Sequence, residues 1–212
     1  MWNYLAAGLL LAPLAQATAV TPLLDLPPQR QQVQLMVKND GAQPQTYVLS
    51  VDETTFPDGR VRVIAPSSPA VKLEPARFTL GPGQRRGVAV SYAGPKPENE
   101  RYFVIRVGEQ SPRQQISYAL ELTSRLFVRP AKPALKYHFD GAELRNESNA
   151  FVMVMMDEDC GKTEGPTRLL GPGQSFRLPT PGSGSQVSLG FIDKVTTLLD
   201  RCADMDKPAT RP

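Results

Sequence analysis

A chain of 212 residues can form one large domain or two domains of ordinary size, and its 41% hydrophobic content is sufficient for a buried core. The 21 prolines and 16 glycines interrupt the chain too often for long helices and favour many short strands. The net charge of +3, from 24 basic and 21 acidic residues, is too small to indicate binding to nucleic acid.

The N-terminal segment has the pattern of a secretory signal peptide. An apolar run from Leu5 to Leu14 is followed by Ala17-Thr18-Ala19, a small-x-small sequence typical of signal peptidase sites. We therefore predict a signal peptide over residues 1–19, export of the chain, and no membrane span after cleavage. A membrane anchor is the alternative, although the apolar run is shorter than the roughly 20 residues that a bilayer requires.

Alternation of apolar and polar residues, which is typical of half-buried strands, recurs along the chain. The first two sets are separated by the turn sequence Asn39-Asp40-Gly41, and their apolar members are Val33, Leu35, Val37, then Tyr47, Leu49 and Val51. Further strands are predicted over 60–64, 88–92, 102–107 and the long stretch 115–128. Since no segment shows a sustained helical period, the predicted fold class is all-β.

A weak internal repeat divides the chain. Leu80-Gly81-Pro82-Gly83-Gln84 recurs as Leu170-Gly171-Pro172-Gly173-Gln174, and each copy has the composition of a tight turn. Upstream of the copies, Asn39 and the strand after it have a counterpart in Asn146 and 151–157. Chance can produce a short Gly/Pro string, but agreement in both sequence and order favours two sandwich domains of related topology. The prolines of the segment 129–133 mark a stiff link, so we predict domains over 20–130 and 131–212.

The two cysteines, Cys160 and Cys202, both lie in the second predicted domain. In an exported chain such a pair usually forms a disulfide, and we predict one here. A redox or metal-binding role would call for a CxxC motif or a nearby histidine, and neither accompanies them.

A search of the sequence for catalytic patterns finds none. The single histidine, His138, lies in a predicted strand, and neither a phosphate-binding loop nor a Gly-x-Ser-x-Gly motif is present. The oxygens of Asp157-Glu158-Asp159 would suit calcium, but a solvated turn explains this run more simply. We expect a protein that is not an enzyme and that needs no cofactor or metal.

An unusually long alternating strand over 116–130 ends at the predicted domain boundary. Its last residues, Leu126-Phe127-Val128-Arg129-Pro130, together with the run from Pro97 to Phe103 and the turn Leu80-Gly81-Pro82-Gly83, resemble motifs of the periplasmic chaperones of the chaperone-usher pilus pathway. The short connection 108–114 resembles that of the short-loop members. The resemblance extends over nearly the whole mature chain and implies two immunoglobulin-like β-sandwich domains in a boomerang arrangement, located in the periplasm.

The resemblance implies that the long strand is lent to pilus subunits whose own fold lacks a strand. Alternate side chains would enter the groove of the subunit, and these are Ile116, Tyr118, Leu120 and Leu122. The alternative is that this apolar face packs only on the core of its own domain. Arg125 falls where the family has a lysine that binds the C-terminal carboxylate of the subunit. The arginine that the family has on its first strand is absent from the stretch 20–25.

The resemblance further implies an interdomain charge network of Glu100, Arg129 and Asp193, which would fix the angle between the domains. The expected function is to bind pilus or fimbrial subunits by donor-strand complementation and to deliver them to an outer-membrane usher. The alternative is an immunoglobulin-like adhesin or structural pilus subunit. The sequence leaves open whether the free protein covers its own edge by forming a dimer.

Overall fold

The structure is a computed structural model that describes residues 18–57, 60–110, 121–157, 160, 165–179 and 185–202. All of its regular elements are strands, which confirms the predicted all-β class. The strands of the N-terminal half are β1 (Thr18–Val20), β2 (Leu23–Leu26), β3 (Gln32–Asn39), β4 (Gln45–Thr54), β5 (Val63–Ala65), β6 (Val71–Glu74), β7 (Arg77–Leu80), β8 (Arg85–Tyr92), β9 (Arg101–Gln110) and β10 (Glu121–Val128). Those of the C-terminal half are β11 (Tyr137–Phe139), β12 (Glu143–Asn146), β13 (Val152–Asp157), β14 (Thr167–Leu170), β15 (Ser175–Arg177), β16 (Gln186–Phe191) and β17 (Lys194–Asp200). No helix in these ranges has the length and apolar character needed to cross a membrane.

Strands β1 to β10 form a sandwich of two sheets. One sheet has the order β1-β3-β8-β6, and the other has the order β2-β10-β9-β4-β5, with β7 also beside β4. The core lies between the sheets and is built from alternate side chains, as the sequence pattern predicts. Leu35 and Val37 of β3 and Tyr47 of β4 are fully buried in it, and Leu49 and Val51 are nearly so.

The first strand of this domain changes sheets at Thr21 and Pro22. Its first part, β1, pairs antiparallel with β3, whereas its second part, β2, pairs in parallel with β10. The backbone N–H of Thr21 still donates to the carbonyl of Met36 at 3.1 Å, while the carbonyl of Pro22 already accepts the N–H of Arg125 at 3.0 Å. Because of this crossover, β2 covers only the second half of β10.

Strands β11 to β17 form a smaller sandwich. Its sheets have the orders β11-β12-β15 and β14-β13-β16-β17, and its separate core includes Leu144, Val154 and Leu189. The predicted boundary at residue 130 lies in the connection between β10 and β11. The predicted disulfide is present and joins Cys160 to Cys202, with the two Cα atoms 5.5 Å apart.

The repeated sequence forms the same hydrogen-bonded connection in both domains. The side-chain amides of Asn39 and Asn146 donate to the carbonyl of the leucine that opens each repeat, at 3.1 and 2.8 Å. The backbone carbonyls of the same asparagines accept hydrogen bonds from the backbone N–H groups of Gly83 and Gly173, at 2.8 and 2.7 Å. Both glycines have positive φ, at 69° and 77°, which glycine adopts without a steric penalty. Each asparagine therefore ties the end of one strand to the glycine turn.

The strand predicted over 60–64 is shorter and lies further along the chain than expected. Only Val63–Ala65 form β5, which pairs with the last residues of β4 at the edge of its sheet. Val61, Val63 and Ile64 remain exposed. Their apolar alternation suggested burial, but an edge strand beside the end of its neighbour has no layer to pack against.

Candidate functional site

The first half of β10 lies at a sheet edge that the described residues leave open. β9 pairs with β10 along its whole length, from Glu121 to Val128, whereas β2 pairs only with the residues from Arg125 onward. The N–H of Arg125 points towards β2, so by the alternation of a strand the backbone groups of Glu121 and Thr123 point to the same, unpaired side. An unpaired edge of this kind can accept an extended segment from another chain.

The side chains of β10 that point into the sandwich become less buried towards the start of the strand. Leu126 and Val128 are fully buried in the core, whereas Leu122, on the same face, is only partly buried. Between them the buried hydroxyl of Ser124 has no hydrogen-bond partner in the described part of the chain. The apolar face of β10 therefore extends past the fully buried core as far as Leu122, which is partly accessible to water. The other predicted groove-filling residues, Ile116, Tyr118 and Leu120, lie outside the described residues.

Arg125 lies on the opposite, outward face of β10 and is exposed. Among the described residues it makes no ion pair, and its neighbours across the sheet are Val104 on β9 and Leu23 on β2. Leu23 is 49% exposed, so the residue beside Arg125 on β2 is an apolar one that water can reach. A free guanidinium can bind a carboxylate through two parallel N–H donors. The first-strand position beside it is a leucine, so β2 provides no second cation there.

A row of ion-paired side chains crosses the outer face of the sheet from β4 over β9 to β10. Arg106 on β9 donates to Asp52 on β4 at 3.0 Å and to Glu121 on β10 at 3.0 Å. The backbone N–H of Ser67, and secondarily Arg106, hold the pKa of Asp52 below its ordinary value. Pairs this accessible to water add little stability, but the one between Arg106 and Glu121 holds the start of β10 against β9.

Arg129 is the centre of a charge network at the domain boundary. Its side chain is 7% exposed and donates to Glu100 at 2.8 Å and to both carboxylate oxygens of Asp25 at 2.8 and 2.9 Å. The guanidinium also lies 4.3 Å from the ring centre of Phe151 in the second domain. The structure brings the predicted pair of Glu100 and Arg129 together, but it places Asp193 in the exposed turn between β16 and β17.

Asp25 takes the place in the network that the sequence assigned to Asp193. The parallel register sets Asp25 beside Phe127, two residues before Arg129, so its carboxylate reaches the guanidinium. No ion pair between Asp193 and Arg129 occurs within the ranges that the structure describes. The assignment of Asp193 is therefore corrected to Asp25.

Glu100 connects the two domains directly. Its carboxylate is fully buried and accepts hydrogen bonds from the hydroxyl of Tyr102 at 2.8 Å and from the backbone N–H of Phe151 at 2.9 Å. Burial raises the pKa of Glu100, and the charge of Arg129 opposes this rise. Burial, together with the neighbouring Glu100, also raises the pKa of Tyr102.

An aromatic cluster surrounds these charges. Phe127 of β10 contacts Tyr102 and Phe151, with ring centres 5.5 and 5.1 Å apart, and Phe56 adds a contact to Tyr102 at 5.1 Å. The side chain of Asn149 bridges the connection by donating to the carbonyls of Glu98 and Lys132 and by accepting the N–H of Ala134. Phe56 and Asn149 belong to no motif in the sequence. Phe151 opens the repeated segment 151–157, but nothing in that repeat indicates its contacts with Phe127 and Arg129, which form only where the two domains meet.

Comparisons with known proteins point to one group. No protein-family model matches the chain. It is 24% identical over 213 residues to the probable fimbrial chaperone EcpE of Escherichia coli K12, which covers 93% of this chain and 90% of that protein. The class 5 fimbriae chaperone CfaA has a similar fold, with a TM-score of 0.59 and 10% identity over 87% of this chain and all of CfaA.

A second structural neighbour was solved together with a pilin. The structure of the Salmonella enterica SafA pilin in complex with the SafB chaperone matches with a TM-score of 0.53 and 14% identity, over 84% of this chain and 91% of the matched chain. These likenesses agree with the two sandwiches and with the motifs in the sequence. The predicted resemblance to the chaperones of the chaperone-usher pilus pathway is thereby confirmed, in sequence by EcpE and in fold by solved fimbrial chaperones.

Proposed function

We infer that this chain is a periplasmic chaperone without enzymatic activity that binds pilus subunits by lending them a strand. The observation that carries this inference is the open edge of β10 at Glu121–Ser124, which continues the sheet of the first domain and lies beside the connection to the second. The complex of the SafB chaperone with a pilin supports the same kind of partner.

In the proposed mechanism, the subunit pairs its backbone with the open edge of β10. Ile116, Tyr118, Leu120 and Leu122 share one face by alternation and fill the apolar groove of the subunit. Each buried apolar side chain contributes about 1.5 to 3 kcal/mol, and the loss of motional freedom on association offsets part of this gain. Binding of this strength is tight enough to shield a subunit and weak enough to release it.

Arg125 supplies the polar end of the proposed site. Its exposed guanidinium, without an ion pair in the described part of the chain, binds the C-terminal carboxylate of the subunit and so sets the register of the added strand. The network of Glu100, Arg129 and Asp25 holds the second domain relative to β10. Since buried ion pairs often add no net stability, we assign this network to domain orientation.

Delivery to an outer-membrane usher completes the proposed pathway. Before a subunit arrives, two copies of the chain can cover their open edges by pairing them in a dimer. Such a dimer would compete with the subunit for the same backbone groups, so subunit binding would release monomers.

Capture of a subunit in the periplasm tests the proposed site. Arg125→Ala should weaken capture by about tenfold or more, because a charge-assisted hydrogen bond contributes roughly 1.5 to 3 kcal/mol. Tyr118→Glu should abolish capture, because it would place a charge in the apolar groove. The measurement is co-purification of a tagged subunit with each variant, together with circular dichroism to check the fold.

Arg145→Ala is the matched control, since Arg145 is an exposed strand arginine in the second domain, away from β10. It should capture subunits as the unchanged chain does. Normal capture by both Arg125→Ala and Tyr118→Glu would rule out the proposed site.

A further inference from the structure

Thr18 makes specific contacts inside the first domain. It opens β1, where it pairs with Asn39 on β3. Its hydroxyl shares a hydrogen bond of 3.1 Å with the hydroxyl of Tyr47, whose side chain is completely buried, and it also donates to the carboxylate of Glu109. Thr18 is therefore tied to β3, β4 and β9, and behaves as part of the folded domain.

These contacts conflict with cleavage after Ala19. Such cleavage would remove Thr18 and Ala19, two of the three residues of β1, and would leave the hydroxyl of Tyr47 without this partner. The sequence contains a second small-x-small site that overlaps the first, Ala15-Gln16-Ala17, directly before Thr18. Cleavage there would leave β1 complete.

We propose that signal peptidase hydrolyses the bond between Ala17 and Thr18, so that the mature chain begins at Thr18. Water adds across this peptide bond, giving a carboxylate on Ala17 and a free amino group on Thr18. The proposal depends on export, which is part of the proposed function, and it replaces the cleavage site predicted from the sequence.

The new N-terminus would lie next to the end of β9. The partner of Thr18 there, Glu109, is the second-last residue of β9 and directly precedes Gln110, after which the chain continues towards β10. The carboxylate of Glu109 can also attract the new ammonium group, because opposite charges at short range favour each other. A mature chain that begins at Thr18 thus keeps the hydrogen bond between β1 and the end of β9, where the connection to the donated strand begins.

The N-terminal sequence of the protein, purified from the periplasm of a host that expresses the full chain, tests the cleavage site. We expect Thr18 as the first residue. A mature chain that begins at Val20 would overturn this proposal and leave the proposed function intact. An uncleaved chain that stays in the cytoplasm would overturn both.

Two matched variants separate the overlapping sites. Ala15→Phe places a bulky residue in the proposed site only, and it should cause precursor to accumulate or move cleavage to Val20. Ala19→Phe blocks only the later site; Ala19 is exposed on β1, and cleavage before Thr18 should continue. The reverse pattern would contradict the proposal.

The thermal midpoints of two mature forms test the physical reason for the choice. The form that begins at Thr18 should unfold at a higher temperature than the form that begins at Val20, because it keeps β1 and the contacts with Tyr47 and Glu109. Equal midpoints would mean that Thr18 does not contribute to the fold, and would remove the basis of the proposal.

Discussion

Replacement of Arg129 by alanine should lower the free energy of unfolding by about 3 to 5 kcal/mol, the usual cost of removing one partner of a buried ion pair. The side chain of Glu100 is fully buried, and the variant would leave its carboxylate without a cation. The stacking of the guanidinium on Phe151 would be lost as well. Urea unfolding followed by circular dichroism measures the change.

Arg106→Ala is the control for this prediction. Arg106 also pairs with two carboxylates, Asp52 and Glu121, but its side chain is 37% exposed. Its removal should therefore cost less than about 1 kcal/mol. If Arg129→Ala were no less stable than Arg106→Ala, the stability of the protein would not depend on the ion pairs of Arg129.

The effect of Arg129→Ala should also depend on pH. Burial raises the pKa of Glu100 above its value in the unfolded chain, so the folded protein binds a proton at this carboxylate more readily than the unfolded chain does. The contribution of Glu100 to the free energy of unfolding therefore falls as pH rises and the carboxylate becomes charged. Without Arg129 this pKa should rise further. The loss should therefore be largest at neutral pH and smaller in mildly acidic solution, where Glu100 becomes protonated. A loss that grows on acidification would contradict this reasoning.

Phe127→Ala should destabilise the protein by about 3 to 5 kcal/mol, as expected for a buried aromatic residue replaced by alanine. Phe127 is 2% exposed and lies between Tyr102 of its own domain and Phe151 of the other. Phe127→Leu keeps most of the side-chain volume and should cost clearly less. Urea unfolding of both variants provides the comparison.

A double-mutant cycle with Phe151→Ala tests whether the loss arises between the domains. If the two rings stabilise each other across the boundary, the double variant should lose less stability than the sum of the single variants. Additive losses would mean that the two rings do not stabilise each other across the boundary.

The strands and the turns were predictable because each depends on local sequence. Alternation alone located β3 and β4, since only one face of each strand is buried. The repeated glycine turn was predictable because positive φ at Gly83 and Gly173 requires the residue type that the sequence shows. The order of asparagine, strand and turn in both halves then indicated two related sandwiches.

The charge network was only half predictable, because it depends on long-range register. The pairing of β10 with β9 brings Arg129 to Glu100, and the resemblance implied this pair. Asp25 lies on β2, and 104 positions separate it from Arg129 in the chain. The crossover at Thr21 and Pro22 places Asp25 there, and no local pattern indicates which sheet β2 will join. Asp193 is implied by the resemblance only, and it lies exposed in the turn between β16 and β17.

Amide hydrogen exchange with and without a bound pilus subunit tests most directly whether the free edge of β10 is the binding surface. Exchange at Glu121 and Thr123 should slow by about tenfold or more when the subunit binds, because their backbone groups gain partners, while amides of β15 in the second domain should exchange as before. A subunit that binds tightly and leaves exchange at these two residues unchanged would contradict this prediction.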